Sequence, residues 1–275
     1  VMDTAAYRKA NYLVGNEEGA AVLEMTLYGG SCRFEEDTVI ALTGADMQPT
    51  VNQKSIAMNQ AVKVPAGGVL NLGMAKTGCR AYLAVAGGFE VPKVMGSYST
   101  NLKCGIGGHE GRALQMGDEL PIGEALHSWD EVKDRKVSVP DYPKEVLVSV
   151  VPGPQEEYFT EAGIHHFYSE SYEVTESCDR MGYRLEGPEV ESKNGTDIVS
   201  DGIVFGSIQI PSSGKPIILM ADHQTTGGYA KIGTVTQADL PKVAQCKPGD
   251  RIRFRKVSVE EAQEISRKER KKECF

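Results

Sequence analysis

Four short matches recur in the same order in the two halves of this chain, which restricts the fold to something that can be built twice. Asp3-x-x-x-Tyr7-Arg8 returns as Asp179-x-x-x-Tyr183-Arg184, and Val64-Pro65-Ala66-Gly67-Gly68 as Ile210-Pro211-Ser212-Ser213-Gly214. The apolar run Ala81 to Ala86 resembles Pro216 to Ala221, and Gly117-Asp118 resembles Gly249-Asp250. The offsets fall steadily through 176, 146, 135 and 132 residues, so the first half carries the extra loop residues. Two copies of one β-rich unit are expected, and a cleft between such copies is a common place for a small-molecule site.

Local periodicity agrees with a mainly β chain. Val22 to Tyr28 alternates, with Leu23, Met25 and Leu27 on one side. Further strands are expected at Thr38 to Thr43, Ala61 to Val64, Arg80 to Ala86 and Arg112 to Leu120, then at Val146 to Val151, Tyr172 to Thr175, Val204 to Ile210, Pro216 to Ala221 and Arg251 to Val257. Helices are expected from a cap at Asp3 to Val14, at Gln155 to Ser169, and after Ser258, which forms a capping box with Glu261. At 275 residues the chain has room for about two domains. The pattern lapses between Leu126 and Tyr142, which places the domains at 1–135 and 136–275.

Composition excludes several classes of function. Thirty basic against thirty-eight acidic residues leave a net charge of −8, which opposes a long phosphate-backbone footprint, so no nucleic-acid partner is expected. No apolar run approaches the roughly eighteen residues of a membrane span. The cysteines at 32, 79, 104, 178, 246 and 274 form no CxxC pair and sit in no Cys/His cluster, so no metal site is expected and reduced thiols in a cytoplasm are the simpler reading.

The densest chemistry follows the apolar strand Ile217-Ile218-Leu219-Met220-Ala221, at Asp222-His223-Gln224-Thr225-Thr226-Gly227-Gly228-Tyr229. Asp222 is placed to orient His223, whose imidazole can take up and release a proton near neutral pH. Gln224, Thr225 and Thr226 supply hydrogen-bond donors, and Gly227-Gly228 lets backbone N–H groups approach an anion. A turn with a satisfied histidine is the alternative at this point. In the first half Ser97, Ser99 and Thr100 suit a ligand or a hydroxyl-rich turn equally, and no G-x-S-x-G elbow or Gly-Lys-Ser/Thr phosphate loop is present. Val151-Pro152-Gly153-Pro154-Gln155 ends a strand and opens a helix, where an anion is favoured, or is simply a rigid turn. His165 and His166 are adjacent and point to different sides, so they are poor joint metal ligands.

Ala86-Gly87-Gly88, Val91-Pro92-x-x-Met95-Gly96-Ser97-x-Ser99-Thr100, Gly107-Gly108-x-x-Gly111-Arg112-x-Leu114-x-x-Gly117-Asp118 and Pro152-Gly153-Pro154-Gln155 form one ordered set. Ser177-x-Asp179-Arg180-Met181-Gly182-Tyr183-Arg184-Leu185-x-Gly187, Ser200-Asp201-Gly202, Gln209-x-Pro211-x-x-Gly214-x-Pro216 and Asp222-x-Gln224-Thr225-x-Gly227-Gly228-Tyr229 complete it. Together they resemble the biotin-dependent carboxyltransferase family, also called allophanate hydrolase subunit 2, which includes the C component of bacterial ATP-dependent 5-oxoprolinase. The resemblance covers essentially the whole chain.

It implies two tandem cyclophilin-like β-barrel domains with a cleft between them. It also implies two partners, a 5-oxoprolinase B component related to allophanate hydrolase subunit 1 and an A component of the LamB/YcsF type. The implied reaction is hydrolysis of 5-oxo-L-proline to L-glutamate with ATP at the level of the complex. The alternatives it carries are carboxyl transfer from carboxybiotin to urea, with biotin borne on another protein, and a non-catalytic regulatory partnership with a kinase inhibitor that resembles the B component. Relatives usually begin with a strand and a Gln-Asp-x-Gly-Arg-like segment before the Met-Asp that stands here as Met2-Asp3, so an N-terminal segment is expected to be missing.

Both substrates share a planar amide or ureido group. On this reading Asp222, His223 and Gln224 are catalytic, with Gln224 and Ser212 or Ser213 polarising the carbonyl. Arg180 or Lys231 neutralises a carboxylate or phosphate, and Gln155, Thr225, Gly227, Gly228 and Tyr229 complete the substrate site.

Overall fold

The computed structural model describes residues 1–272. The chain divides into two compact units, Val1 with Asp3–Asp141, and Met2 with the chain from Tyr142 onward. The division falls after residue 141 rather than 135, because Lys136 bridges Gln60 and the Val137 N–H donates to the Asn59 carbonyl at 2.9 Å, which ties the connector to the first unit.

The first unit opens with α1 (Thr4–Val14). The Asp3 carboxylate accepts the Ala6 N–H at 2.8 Å, and Gly15, at φ 77°, ends the helix in the left-handed region. Asp3→Ala removes this cap and is expected to cost about 1 kcal/mol, read as a shift in the urea midpoint, whereas Asp3→Asn keeps a capping oxygen and is expected to recover most of the loss.

Eight strands follow: β1 (Leu23–Thr26), β2 (Ser31–Arg33), β3 (Thr38–Asp46), β4 (Thr50–Val51), β5 (Lys54–Ser55), β6 (Ala61–Val64), β7 (Val69–Asn71) and β8 (Thr77–Val85), and then α2 (Trp129–Val132). They pair as two four-stranded sheets, β1-β8-β3-β6 and β2-β7-β4-β5. Period-two alternation sorts the long strands. Ile40, Leu42, Leu83 and Val85 share a core with Val51 and Leu70 of the second sheet, while Val39, Ala41, Tyr82 and Ala84 pack with Ala6, Ala10 and Leu13 of α1.

The strand expected at Arg112 to Leu120 is a folded-back loop. The Arg112 guanidinium donates to both Asp118 oxygens, at 2.7 and 2.8 Å, and holds that carboxyl well below the usual carboxylate range. Six extended residues would span roughly 20 Å, so this ion pair and a strand are incompatible. In the preceding loop the Ser97 hydroxyl serves a turn, its Oγ accepting the Ser99 N–H at 3.1 Å.

The second unit is a closed seven-stranded barrel. Its members are β9 (Glu145–Pro152), β10 (Ser171–Cys178), β11 (Gly182–Glu186), β13 (Ser207–Gln209), β14 (Ile217–Leu219), β16 (Lys231–Val235) and β17 (Arg251–Lys256), in the order β10-β11-β14-β13-β16-β9-β17. A two-stranded ribbon, β12 (Asp197–Gly202) with β15 (Thr226–Tyr229), stands apart from the barrel ladder, and α3 (Glu161–Ser169), α4 (Leu240–Ala244) and α5 (Val259–Lys272) complete the unit. Val148, Val150, Tyr172, Tyr183, Ile208, Ile218, Ile232 and Phe254 share the core, into which α3 sends Phe167. The mainly β reading holds throughout, and the closed barrel belongs to the second unit.

The helix expected over Gln155 to Ser169 is two pieces. A single 3-10 turn, Glu156–Tyr158, gives way to a fully buried, extended Phe159, and Thr160 then caps α3 by accepting the Gly163 N–H at 3.0 Å. The capping box at Ser258 forms as expected, with N–H to carboxylate at 2.8 Å and N–H to hydroxyl at 3.2 Å.

The internal repeat survives in its turns. Gly68 N–H donates to Pro65 O at 2.8 Å and Gly214 N–H to Pro211 O at 2.9 Å. The Asp118 carboxylate accepts the Gln115 N–H at 2.7 Å, and that of Asp250 accepts the Lys247 N–H at 3.0 Å, each beside a glycine of positive φ. The Asp3 and Asp179 segments differ, since Asp3 caps a helix whereas the Asp179 carboxylate takes the Met181 and Gly182 N–H groups at the turn into β11.

Candidate functional site

The site is built where β14 runs out. Ile218, Leu219 and Met220 are buried, and the Met220 N–H donates to the Met181 carbonyl, so the chain emerges from the core at a fixed point. Arg180 then grips Asp222 with two hydrogen bonds, Nε at 2.9 Å and Nη2 at 3.1 Å, and the Asp222 N–H returns to the Arg180 carbonyl at 2.7 Å. This is a fork-to-carboxylate pair.

It also overturns one expectation. Asp222 does not orient His223, because its carboxylate is committed to Arg180. The His223 ring is held instead by the Gln224 carbonyl, 2.7 Å from Nδ1. A carbonyl only accepts, so Nδ1 donates here, and in the neutral ring the lone pair falls on Nε2.

The ribbon follows directly. A Cβ on Gly227 would stand 2.5 Å from Ile203 Cδ1, 2.6 Å from Gln209 Nε2 and 3.4 Å from Gln224 Nε2, so two glutamine carboxamides flank this glycine and a larger residue would push side-chain ends aside. At Gly228 the nearest atom, the Ile198 carbonyl oxygen, would be an ordinary 3.5 Å away. The Thr225 carbonyl accepts the Ile203 N–H, and the carbonyl of the partly exposed Tyr229 accepts from Gln209 Nε2 at 3.4 Å.

At the start of β16, Lys231 is buried inside an otherwise apolar run. Its ammonium donates to Asp201 Oδ2 at 2.5 Å and to the Gly202 carbonyl at 2.8 Å. Its backbone N–H donates to Gln155 Oε1 at 3.2 Å, while Gln155 Nε2 stands 3.5 Å from Asp201. Arg180, Asp222, Lys231 and Asp201 thus form two ion pairs with no net charge between them.

Ser212 and Ser213 follow Gln209, which pairs with Lys231 on one side and with Ile217 at the start of β14 on the other. They sit in the exposed turn at the opposite end of β14 from Asp222, where Ser213 Oγ accepts the Lys215 N–H at 3.4 Å and the Lys215 ammonium pairs with Glu186 at 2.8 Å. A three-residue strand, roughly 10 Å long, separates the two ends. Asp201 and Gln209 are the site residues that sequence reasoning left out. The signal was Lys231 itself, since a lysine between Ala230 and Ile232 in an apolar strand demands a buried partner.

The Lys231 ammonium, and after it the Gly202 N–H, hold the Asp201 carboxyl below its ordinary value. With the folded value depressed, the pair stabilises the fold fully above the unfolded carboxylate value of about 4 and loses that contribution as pH falls through the folded value. An NMR titration of the Asp201 carboxyl is therefore expected to give a midpoint below about 4, moving up toward it in Lys231→Met. A wild-type midpoint at or above about 4 would contradict the pairing.

Comparison with known proteins agrees with this architecture. The 5-oxoprolinase C component of Escherichia coli is 40% identical over 95% of this chain and 83% of its own length. The Haemophilus influenzae protein of the same name is 37% identical over 97% of this chain and 85% of its own. The crystal structure of the K. lactis urea amidolyase superposes with a TM-score of 0.89 over 99% of this chain at 31% identity, and this chain spans 18% of that one. The sequence pattern of the family described as carboxyltransferase domain, subdomain A and B, matches residues 1–256. With that match running through both units, the chain belongs to the carboxyltransferase domain, subdomain A and B, family.

Proposed function

We propose that this chain is the C component of a cytoplasmic, ATP-dependent 5-oxoprolinase, working with the A and B components to hydrolyse 5-oxo-L-proline to L-glutamate. The observation that carries this reading is the 37–40% identity to the 5-oxoprolinase C components of two bacteria, over nearly the whole of this chain and most of theirs.

The polar cluster at the end of β14 suits the chemistry. Hydrolysis adds water to the lactam carbonyl carbon, breaks the ring C–N bond and delivers a proton to the departing nitrogen. The Gln224 carboxamide N–H groups would donate to the carbonyl oxygen as negative charge gathers there. His223 Nε2 would take the proton from the attacking water and return one to nitrogen. Gln155 and Gln209 hold Lys231 and the ribbon in place around them. The turn after β9 does not fit a polyphosphate, because it is one 3-10 turn whose own residues include Glu156 and Glu157. No step is assigned to ATP in this chain.

A second reading, carboxyl transfer to urea from carboxybiotin on a separate carrier, draws on the 0.89 superposition with urea amidolyase. Reconstitution separates the two. The purified chain with the A and B components and ATP is expected to release glutamate from 5-oxoproline without a biotinylated carrier. Turnover of urea that requires such a carrier, with no glutamate formed, would favour the second reading.

A further inference from the structure

The cations that sequence reasoning assigned to an anionic substrate group are both already matched. Lys231 faces Asp201 at 2.5 Å and Arg180 faces Asp222 through two hydrogen bonds. A carboxylate brought to either pair would meet a carboxylate along with a compensated cation, and like charges at hydrogen-bonding range repel. What the cluster offers instead is neutral carboxamide. Both ends of Gln155 are engaged, by the Lys231 N–H and by Asp201, and the buried Gln209 uses Nε2 on the Tyr229 carbonyl. Gln224 is different. It is exposed, its Nε2 stands beside Gly227, 3.4 Å from where a Cβ would be, and its carboxamide makes no hydrogen bond to another residue among those described.

A carboxamide presents C=O and N–H side by side, and a ring amide, held cis, presents the complementary pair on one edge. The two match through a pair of parallel hydrogen bonds, one donated and one accepted. A carboxylate has no donor and makes only half of this pairing.

We propose that the cluster takes its ligand by a lactam edge through Gln224 and leaves the ligand's carboxylate outside, with Asp201 the residue that sets this preference by neutralising Lys231. This rests on the 5-oxoprolinase reading and adds which end of the substrate this chain recognises. Gln209 is a positioning residue, holding the ribbon beside Gln224 through the Tyr229 carbonyl.

The test uses the reconstituted three-component complex with two fragments of the substrate, 2-pyrrolidinone, which keeps the lactam, and cyclopentanecarboxylate, which keeps only the acid. As competitors of 5-oxoproline turnover, the lactam is expected to inhibit at least ten-fold more strongly than the acid. Asp201→Asn, at a half-exposed position, is expected to strengthen inhibition by the acid at least ten-fold, and Gln224→Ala to weaken inhibition by the lactam by a similar factor. Acid equal to or stronger than lactam in the wild type, or no inhibition by either, overturns the proposal, as does an Asp201→Asn variant with unchanged ranking. Saturation-transfer NMR on the same complex reads the ranking without turnover. Absent glutamate release with the lactam still bound in preference sinks the 5-oxoprolinase reading alone, whereas turnover with the ranking reversed sinks this inference alone.

Discussion

His223→Ala in the reconstituted complex is expected to lower kcat about 100-fold while the KM for 5-oxoproline changes little, the size typical of losing one positioned acid–base group. The direction follows from the ring's setting. Its Nδ1–H is spent on the Gln224 backbone carbonyl, so in the neutral ring Nε2 is the nitrogen open to a proton. His223→Gln keeps a polar side chain with no comparable basic nitrogen, so it is expected to be nearly as slow as the alanine variant. A structural role would move stability instead, so both variants are compared with wild type by urea unfolding. Full turnover in His223→Ala would remove the histidine from the reaction.

Phe254→Ala is expected to destabilise the chain by about 4 kcal/mol, read from the urea midpoint at constant slope. Phe254 on β17 is buried, stacks on Phe167 of α3 at 4.4 Å with the rings inclined by 16°, and lies 5.7 Å from Tyr172 of β10. Truncation removes the ring that joins helix to barrel interior and leaves a cavity that three separate elements would have to collapse into. Phe254→Leu fills most of that volume and is expected to cost under about 1.5 kcal/mol. A loss below about 1 kcal/mol in the alanine variant would show that the aromatic cluster is not the centre of the barrel core.

These two variants probe different levels of what was legible in the sequence. Core strands could be read because the information is local. The apolar runs within Thr38 to Thr43 and Arg80 to Ala86 correspond to β3 and β8, and the capping groups of Asp3 and Ser258 lie within a turn of what they cap. Expectations failed where a contact reached further along the chain. Arg112 to Leu120 alternates well enough for a strand, yet the Arg112–Asp118 pair folds it back. Gln155 to Ser169 has helical spacing, yet burial of Phe159 breaks it in two.

The site shows the same division. Its residue types were evident from Asp222 to Tyr229, because an apolar strand ending in acids, amides and glycines is visible in one stretch of sequence. Its pairings were not. Asp222 beside His223 in sequence is bound to Arg180, forty-two positions away, and Lys231 is neutralised by Asp201, thirty positions away.

By itself, then, the sequence determined the mainly β character, the duplicated turns, the helix caps and the region where chemistry is concentrated, since each of these is set by neighbours within a few residues. Only the tertiary structure decided that the barrel closes in the second unit, that Ser212 and Ser213 lie at the far end of β14 from Asp222, and that both site cations are matched by carboxylates. The physical reason is the cost of burying charge. A lysine or arginine drawn into the protein takes the nearest acid in space, and which acid that is depends on how distant strands are brought together.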